Sequence, residues 1–177
     1  MPKRCGALET DLRVEPLSQD HGRAEFSCGE ESLDRYLKTQ ARQDARRRFN
    51  AVFVMVGADQ PTRILGYFSL SAYSLPREQI PEEIRNRLPR HDQVSAMLIG
   101  QFAVAREHQG RGLGAVLLDR ALVRAYESAD AVGASLVVVD ALNDAAASFY
   151  RAFGFLSLAD TKRLILPMWS AKRLAES

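Results

Sequence analysis

The segment of this chain best suited to chemistry is Gln109-Gly110-Arg111-Gly112-Leu113-Gly114. Glycines let a backbone take positive φ and come close to a ligand. The hexapeptide follows an apolar, strand-like run and opens a long helical pattern. Free amides at a helix N-terminus face outward at the positive end of the dipole, an anion site that suits a pyrophosphate. Two known phosphate loops do not match. A dinucleotide fingerprint reads G-x-G-x-x-G after the first strand of a βαβ unit, with an acid about twenty residues on. Here Gly110, Gly112 and Gly114 read G-x-G-x-G late in the chain, and the acid falls near Asp130, on a helix end. The Gly-Lys-Ser or Gly-Lys-Thr of a P-loop is absent. Cys5, Cys28, His21, His91 and His108 are scattered without metal-ligand spacing, so neither a zinc site nor a disulfide scaffold is expected. A reducing compartment, hence the cytoplasm, is the default.

The elements that must position this loop follow from periodicity and turn chemistry. Leu8 to Val14 reads as a first strand. Leu33, Tyr36, Leu37 and Ala41 recur at helical spacing, with Ser32 as a candidate N-cap and Arg42, Arg46, Arg47 and Arg48 at the C-terminal end, where cations suit the dipole. Ala51 to Val56 and Ile64 to Ser71 flank the turn Asp59-Gln60-Pro61-Thr62 and predict an antiparallel hairpin. Pro76, Pro81 and Pro89 leave room for only a short helix, Glu82 to Leu88. Ala96 to Val104 is a strand, Gly112 to about Ala129 a long helix closed by Gly133, and Leu136 to Val139 a buried parallel-type strand. Asn143 caps a helix to Ala152, which Gly154 stops. Phe155 to Leu158 and Leu164 to Met168 are the last strands.

At 177 residues the chain predicts one domain, residues 1–177, with a core that needs no staples. A hydrophobic share of 46% and a charged share of 26% exclude disordered and collagen-like classes. No run approaches the length of a transmembrane helix, and no apolar stretch follows the basic start, so neither a span nor a secretory signal is expected. The net charge is only +2, yet twenty of the twenty-four basic residues are Arg, the side chain suited to bidentate phosphate contact. A GC-rich codon composition would give the same excess.

The loop and the later helix together resemble the GNAT superfamily of acyl-CoA N-acyltransferases. That family carries [Q/R]-x-x-G-x-[G/A] at a strand-to-helix junction, and Gln109, Gly112 and Gly114 match it. Its second mark, N-x-x-A-x-x-F/L-Y-x-x-x-G-F, is met by Asn143, Ala146, Phe149, Tyr150, Gly154 and Phe155. The resemblance covers roughly residues 50–170. It implies a mixed α/β fold whose central, mostly antiparallel, splayed sheet is flanked by helices, and it implies acetyl-CoA as cofactor. Gly110, Arg111, Gly112, Leu113, Gly114 and Ala115 would then take the pyrophosphate, with Gln109 in the same motif. Backbone groups of Phe102, Ala103 and Val104 would pair with the pantetheine arm, with Arg106 and Arg111 adding charge. Asn143 would either bond the cofactor or only cap its helix. Tyr150 would stand near the thioester sulfur. With a reference pKa near 10, against about 8.5 for a thiol, it would keep its proton and give it to the departing thiolate. No carboxylate stands out as a base; Ser69, Ser71 and Tyr73 could orient water or substrate.

The N-terminal third adds a second resemblance, to the GNAT toxins of bacterial toxin–antitoxin pairs. Phe26-Ser27-Cys28-Gly29 followed by Leu33-Asp34-Arg35-Tyr36-Leu37 matches their F-x-C-G-x-x-x-L-(D/N)-x-(F/Y/W)-L element, and Val139-Asp140-Ala141-Leu142 matches their V-x-A-L. This resemblance implies acetylation of the α-amine of aminoacyl-tRNA, a ribbon-helix-helix antitoxin, DNA contact only through that antitoxin, and often a homodimer. It makes Arg42, Arg46, Arg47 and Arg48, and Arg85, Arg87 and Arg90, candidate contacts to the tRNA backbone, where each neutralised phosphate adds salt-dependent affinity. A solvated basic face is the alternative for either cluster. Two other readings stay open at this stage: a GNAT enzyme for a protein or small-molecule amine, and a non-catalytic GNAT binding or co-repressor module.

Overall fold

Val52, Val54 and Val56 are buried in a strand of seven residues, β2 (Ala51–Gly57), whose β-branched side chains suit a pleated surface. This computed structural model describes residues 11–159 and 161–176. β2 is flanked by β1 (Leu12–Pro16) and β3 (Gly66–Pro76), antiparallel to both, with Val14 opposite Met55 and Phe53 opposite Phe68. The expected hairpin is therefore present, and β3 runs five residues beyond the predicted Ser71. The first-strand prediction falls partly outside the described residues; within them the strand begins at Leu12.

β4 (Gln93–Val104) pairs in parallel with β5 (Leu136–Asp140) from Ala96↔Leu136 to Ile99↔Val139. β4 continues to Val104, past the last of these pairs. β6 (Leu156–Ser157) and β7 (Arg163–Pro167) complete an open seven-stranded sheet of order β1-β2-β3-β4-β5-β7-β6. Its described pairs are antiparallel apart from β4 with β5, giving the mixed, mostly antiparallel α/β fold that the resemblance implies.

The helices are α1 (Glu31–Thr39), α2 (Ala41–Arg46), α3 (Glu82–Arg85), α4 (Leu113–Val132), α5 (Asp144–Ala152) and α6 (Met168–Ala175). Three expectations are corrected. The single N-terminal helix is two, separated at Gln40, and Arg47 and Arg48 lie past its end. Ser32 is inside α1 and does not cap it; the cap position is Glu30, which makes no side-chain cap bond. A final helix, α6, follows Pro167, whereas the expected strand Leu164 to Met168 was the last element. The long helix and its stop hold: Gly133, at φ +69, donates its amide to the Ala129 carbonyl at 2.7 Å.

Two compact units are distinguished, residues 1–70 with 101–120 and residues 71–100 with 121–177. The first has a core around Leu37, Val54, Val56 and Tyr67, all fully buried. In it Phe26 meets Tyr67 edge-on at 5.5 Å between ring centres, a geometry that adds about 0.5–1.5 kcal/mol beyond area burial. The second is built on Leu75, Ile80, Leu136, Val138 and Ile165.

Candidate active site

The glycine loop lies where the sequence places it, between a short 3-10 turn (Arg106–His108) and α4. Gly110 and Gly112 have φ of +74° and +82°, a region that residues with a β-carbon rarely adopt. A Cβ built on either would meet nothing within 4 Å, so the space above both is open to a ligand. Leu113, Gly114 and Ala115 begin α4 and carry amides that helix geometry leaves without intrahelical partners. Arg106 and Arg111 are exposed beside them. This chemistry, open glycine backbone at the positive end of a 20-residue helix, fits a pyrophosphate.

Gln109 is exposed but its side chain is tied to two carbonyls. Its Nε2 donates to the Val104 carbonyl at 2.9 Å and to the Cys28 carbonyl at 2.7 Å. The Arg106 amide donates to the Ser27 carbonyl at 2.7 Å. Ser27 and Cys28 are held in turn by Asp34, which accepts the Cys28 amide at 2.8 Å and the Ser27 hydroxyl at 3.4 Å. Gly29, at φ +95, leaves room for the Arg106 guanidinium, which would sit 3.0 Å from a Cβ there. The F-x-C-G…L-D element is thus a brace for the loop. Cys28 itself is buried, and burial with the Asp34 carboxylate beside it pushes its thiol up to about 11.

Phe102 is half-buried and Ala103 and Val104 are buried at the end of β4. Gly66 lets the backbone pack closely, since a Cβ on it would come within 3.0 Å of the Ala103 carbonyl. Ser69 is fully buried, and its hydroxyl takes the Gln101 amide at 2.9 Å, a structural use.

In the second unit Asn143 caps α5, its Oδ1 accepting the Ala146 amide at 2.9 Å. Tyr150 is buried on the same helix among Phe149 and Phe155. Burial, with the Asp140 charge second, raises its hydroxyl well above the ordinary phenol range. Asp140 is gripped by Arg163 at 2.8 and 3.0 Å, and the same guanidinium donates to the Tyr73 hydroxyl and lies over its ring at 4.6 Å. The sequence offered Tyr73 as a residue that could orient water or substrate, but not its link through Arg163 to Asp140, because the three come from β3, β7 and β5.

The two arginine clusters differ. Arg42 is half-buried and Arg46, Arg47 and Arg48 are exposed around the end of α2, with Arg23 drawn in from upstream. Around α3, Arg85 is half-buried, Arg90 is exposed, and Arg87 stacks on Trp169 at 4.0 Å from the ring centre. Among the described residues no group of three or more His, Cys, Asp or Glu side chains is placed to hold a metal ion, and no helix is long and apolar enough to cross a membrane.

A braced glycine loop at a strand-to-helix junction, on an open and mostly antiparallel sheet, defines an acyl-CoA acetyltransferase fold. The chain belongs to the acetyltransferase (GNAT) family, which it matches over residues 15–155. It is 36% identical over 150 residues to the tRNA-acetylating toxin of Mycobacterium tuberculosis (strain ATCC 25618 / H37Rv), covering 84% of this chain and 87% of that one. It is 28% identical to AtaT complexed with acetyl-methionyl-tRNAfMet, with a TM-score of 0.84 over 93% of this chain and 99% of that one. A Tyr-to-Phe mutant of AtaT, bound to the C-terminus of the antitoxin AtaR and acetyl-CoA, matches at 26% identity and a TM-score of 0.77 over 94% of this chain and 99% of that one.

Proposed function

We propose that this chain transfers the acetyl group of acetyl-CoA to the α-amine of aminoacyl-tRNA, and so acts as the translation-blocking toxin of a toxin–antitoxin pair. The observation that carries the reading is the braced loop. Its open glycines suit the cofactor pyrophosphate, and its brace is the N-terminal element that resembles the tRNA-acetylating toxins. The 36% identity to one such toxin supports the same acceptor.

Acetyl-CoA supplies an activated thioester. The amides from Gly110 to Ala115 bind its pyrophosphate, and backbone groups of Phe102 to Val104 align its pantetheine arm. Gln109 shapes the loop from behind, and Asn143 fixes the start of α5. An α-amine has a reference pKa of about 7.7–8.0, so roughly a tenth to a sixth of it is neutral at pH 7, far more than of a lysine side chain, and water suffices as base. As the amine nitrogen bonds to the acetyl carbon, the carbon–sulfur bond breaks and the sulfur leaves as thiolate. Tyr150 gives that sulfur its phenolic proton. Burial keeps the phenol protonated near neutrality, so the proton is present when the thiolate forms, and solvent then returns a proton to the phenolate.

An antitoxin of the ribbon-helix-helix class would restrain the enzyme, DNA contact would belong to that antitoxin, and the toxin would form a homodimer. The test is chemical. Total tRNA from cells expressing the chain is digested with nuclease and examined by mass spectrometry. N-acetylated aminoacyl-adenosine is expected with the wild type and not with Tyr150→Phe. Unmodified aminoacyl-adenosine in both would move the assignment to another amine.

A further inference from the structure

The arginines at the end of α2 share a concavity of about 430 Å³ with Arg23, Thr39 and Gln43. Four of its six lining residues are arginines, and none is a carboxylate. Arg23 is anchored there by donating to the Lys38 carbonyl at 3.1 Å. Arg42 and Arg46 stand four residues apart on one face of α2. Burial first, and the charges of Arg42 and Arg46 after it, hold the Arg23 guanidinium below the usual arginine range. None of the ion pairs described among these residues involves Arg23, Arg42, Arg46 or Arg47. Like charges gathered without an acid are relieved by a bound anion.

Phe49 is the second observation. It is 73% exposed, the most exposed large hydrophobic side chain described. It follows Arg48, which at φ 58° is the non-glycine residue described in the left-handed region. The turn is nonetheless well tied. The Phe49 amide donates to the Asp44 carbonyl at 2.9 Å, the Arg48 amide to the Ala45 carbonyl at 3.2 Å, and Asn50 Nδ2 to the Tyr36 hydroxyl at 2.9 Å. The backbone at Arg48 and Phe49 and the side chain of Asn50 are tied down, while the Phe49 side chain is exposed. Arg47 and Phe49 are two residues apart, so their Cα atoms are within about 7 Å.

We propose that Arg23, Arg42, Arg46, Arg47 and Phe49 form a clamp for single-stranded RNA, the arginines taking phosphates and the Phe49 ring, two residues from Arg47, stacking on a neighbouring base. The clamp rests on the tRNA reading above and specifies which part of such a substrate it holds. Phosphates alone would call for the arginines only. An exposed ring gains from an unstacked base, which a single strand offers and a duplex does not. Neither Arg23 nor Phe49 stands out in the sequence, since Arg23 joins the cluster only through folding.

The experiment is binding of a fluorescein-labelled single-stranded RNA oligonucleotide, and of a duplex of the same sequence, across a salt series. Phe49→Ala should weaken single-strand binding about tenfold, the scale of one base–aromatic stack, with the salt slope and duplex binding unchanged. Arg23→Ala should reduce the salt slope by about one, as for one phosphate contact. Phe49→Leu keeps apolar bulk without a π face and should behave as Phe49→Ala does. Lys172→Ala, an exposed cation paired with Glu176, should change neither slope nor stacking. Wild-type single-strand binding by both Phe49 variants would overturn the clamp. So would equal losses on duplex and single strand, or preference for polyglutamate over RNA, which would assign the patch to an acidic protein. The assay needs no acetyl transfer. A working clamp with no acetylation of charged tRNA would therefore sink the toxin reading alone.

Discussion

Tyr150 carries the largest single expectation, because the phenol is both buried and raised. Tyr150→Phe keeps the ring and removes the proton. Steady-state turnover should fall by about 10²–10⁴-fold, while calorimetric affinity for acetyl-CoA stays near wild type. An acid with a raised pKa keeps its proton to higher pH. Turnover should therefore rise through about pH 7–8 as the amine loses its proton, and show no alkaline fall from this group up to about pH 10. A thiol pushed to about 11 gives a different forecast at Cys28. In a Cys5→Ser background, iodoacetamide should leave the folded protein unmodified at pH 8 and label it on unfolding, as read by intact mass. At Gly112, φ of +82° sets the cost of a side chain. Gly112→Ala should destabilise by about 1–2 kcal/mol in denaturant melts and weaken acetyl-CoA binding, although the added carbon has open space.

The brace belongs to the scale of elements, where the loop before α1 holds the loop before α4. Asp34 touches no proposed reacting atom; it acts through Cys28 and Gln109. Asp34→Ala should raise the KM for acetyl-CoA about tenfold with kcat and the KM for tRNA little changed, and Asp34→Asn should restore most of the loss by keeping an acceptor for the Cys28 amide. Elements set by local rules were legible in the sequence. Gly112 and Gly133 mark positive-φ turns at either end of α4, and Asn143 and Gly154 bracket α5, each by a preference of its own backbone. What depends on distant partners was not. The N-terminal helix breaks at Gln40 although its apolar spacing runs on to Ala41. α6 is short and follows a strand that already looked complete. The sequence showed the F-x-C-G element only as a pattern; its purpose emerges where Cys28 and Gln109 meet across eighty-one residues. Arg23 entered its cluster in the same non-local way.

For the molecule as a whole, a net charge of +2 gives little general attraction to a polyanion, so the proposed binding of tRNA would rest on where the arginines are gathered. Membership of the acetyltransferase family, together with a glycine loop still open to a pyrophosphate, disfavours a purely structural module. The acceptor is the claim on which the rest turns. It is tested most directly by transfer of labelled acetyl from acetyl-CoA to a pool of charged tRNA, with uncharged tRNA and Tyr150→Phe run in parallel. Label on charged tRNA alone, lost in the variant, is the predicted result. Bound acetyl-CoA with no label on charged tRNA would contradict it.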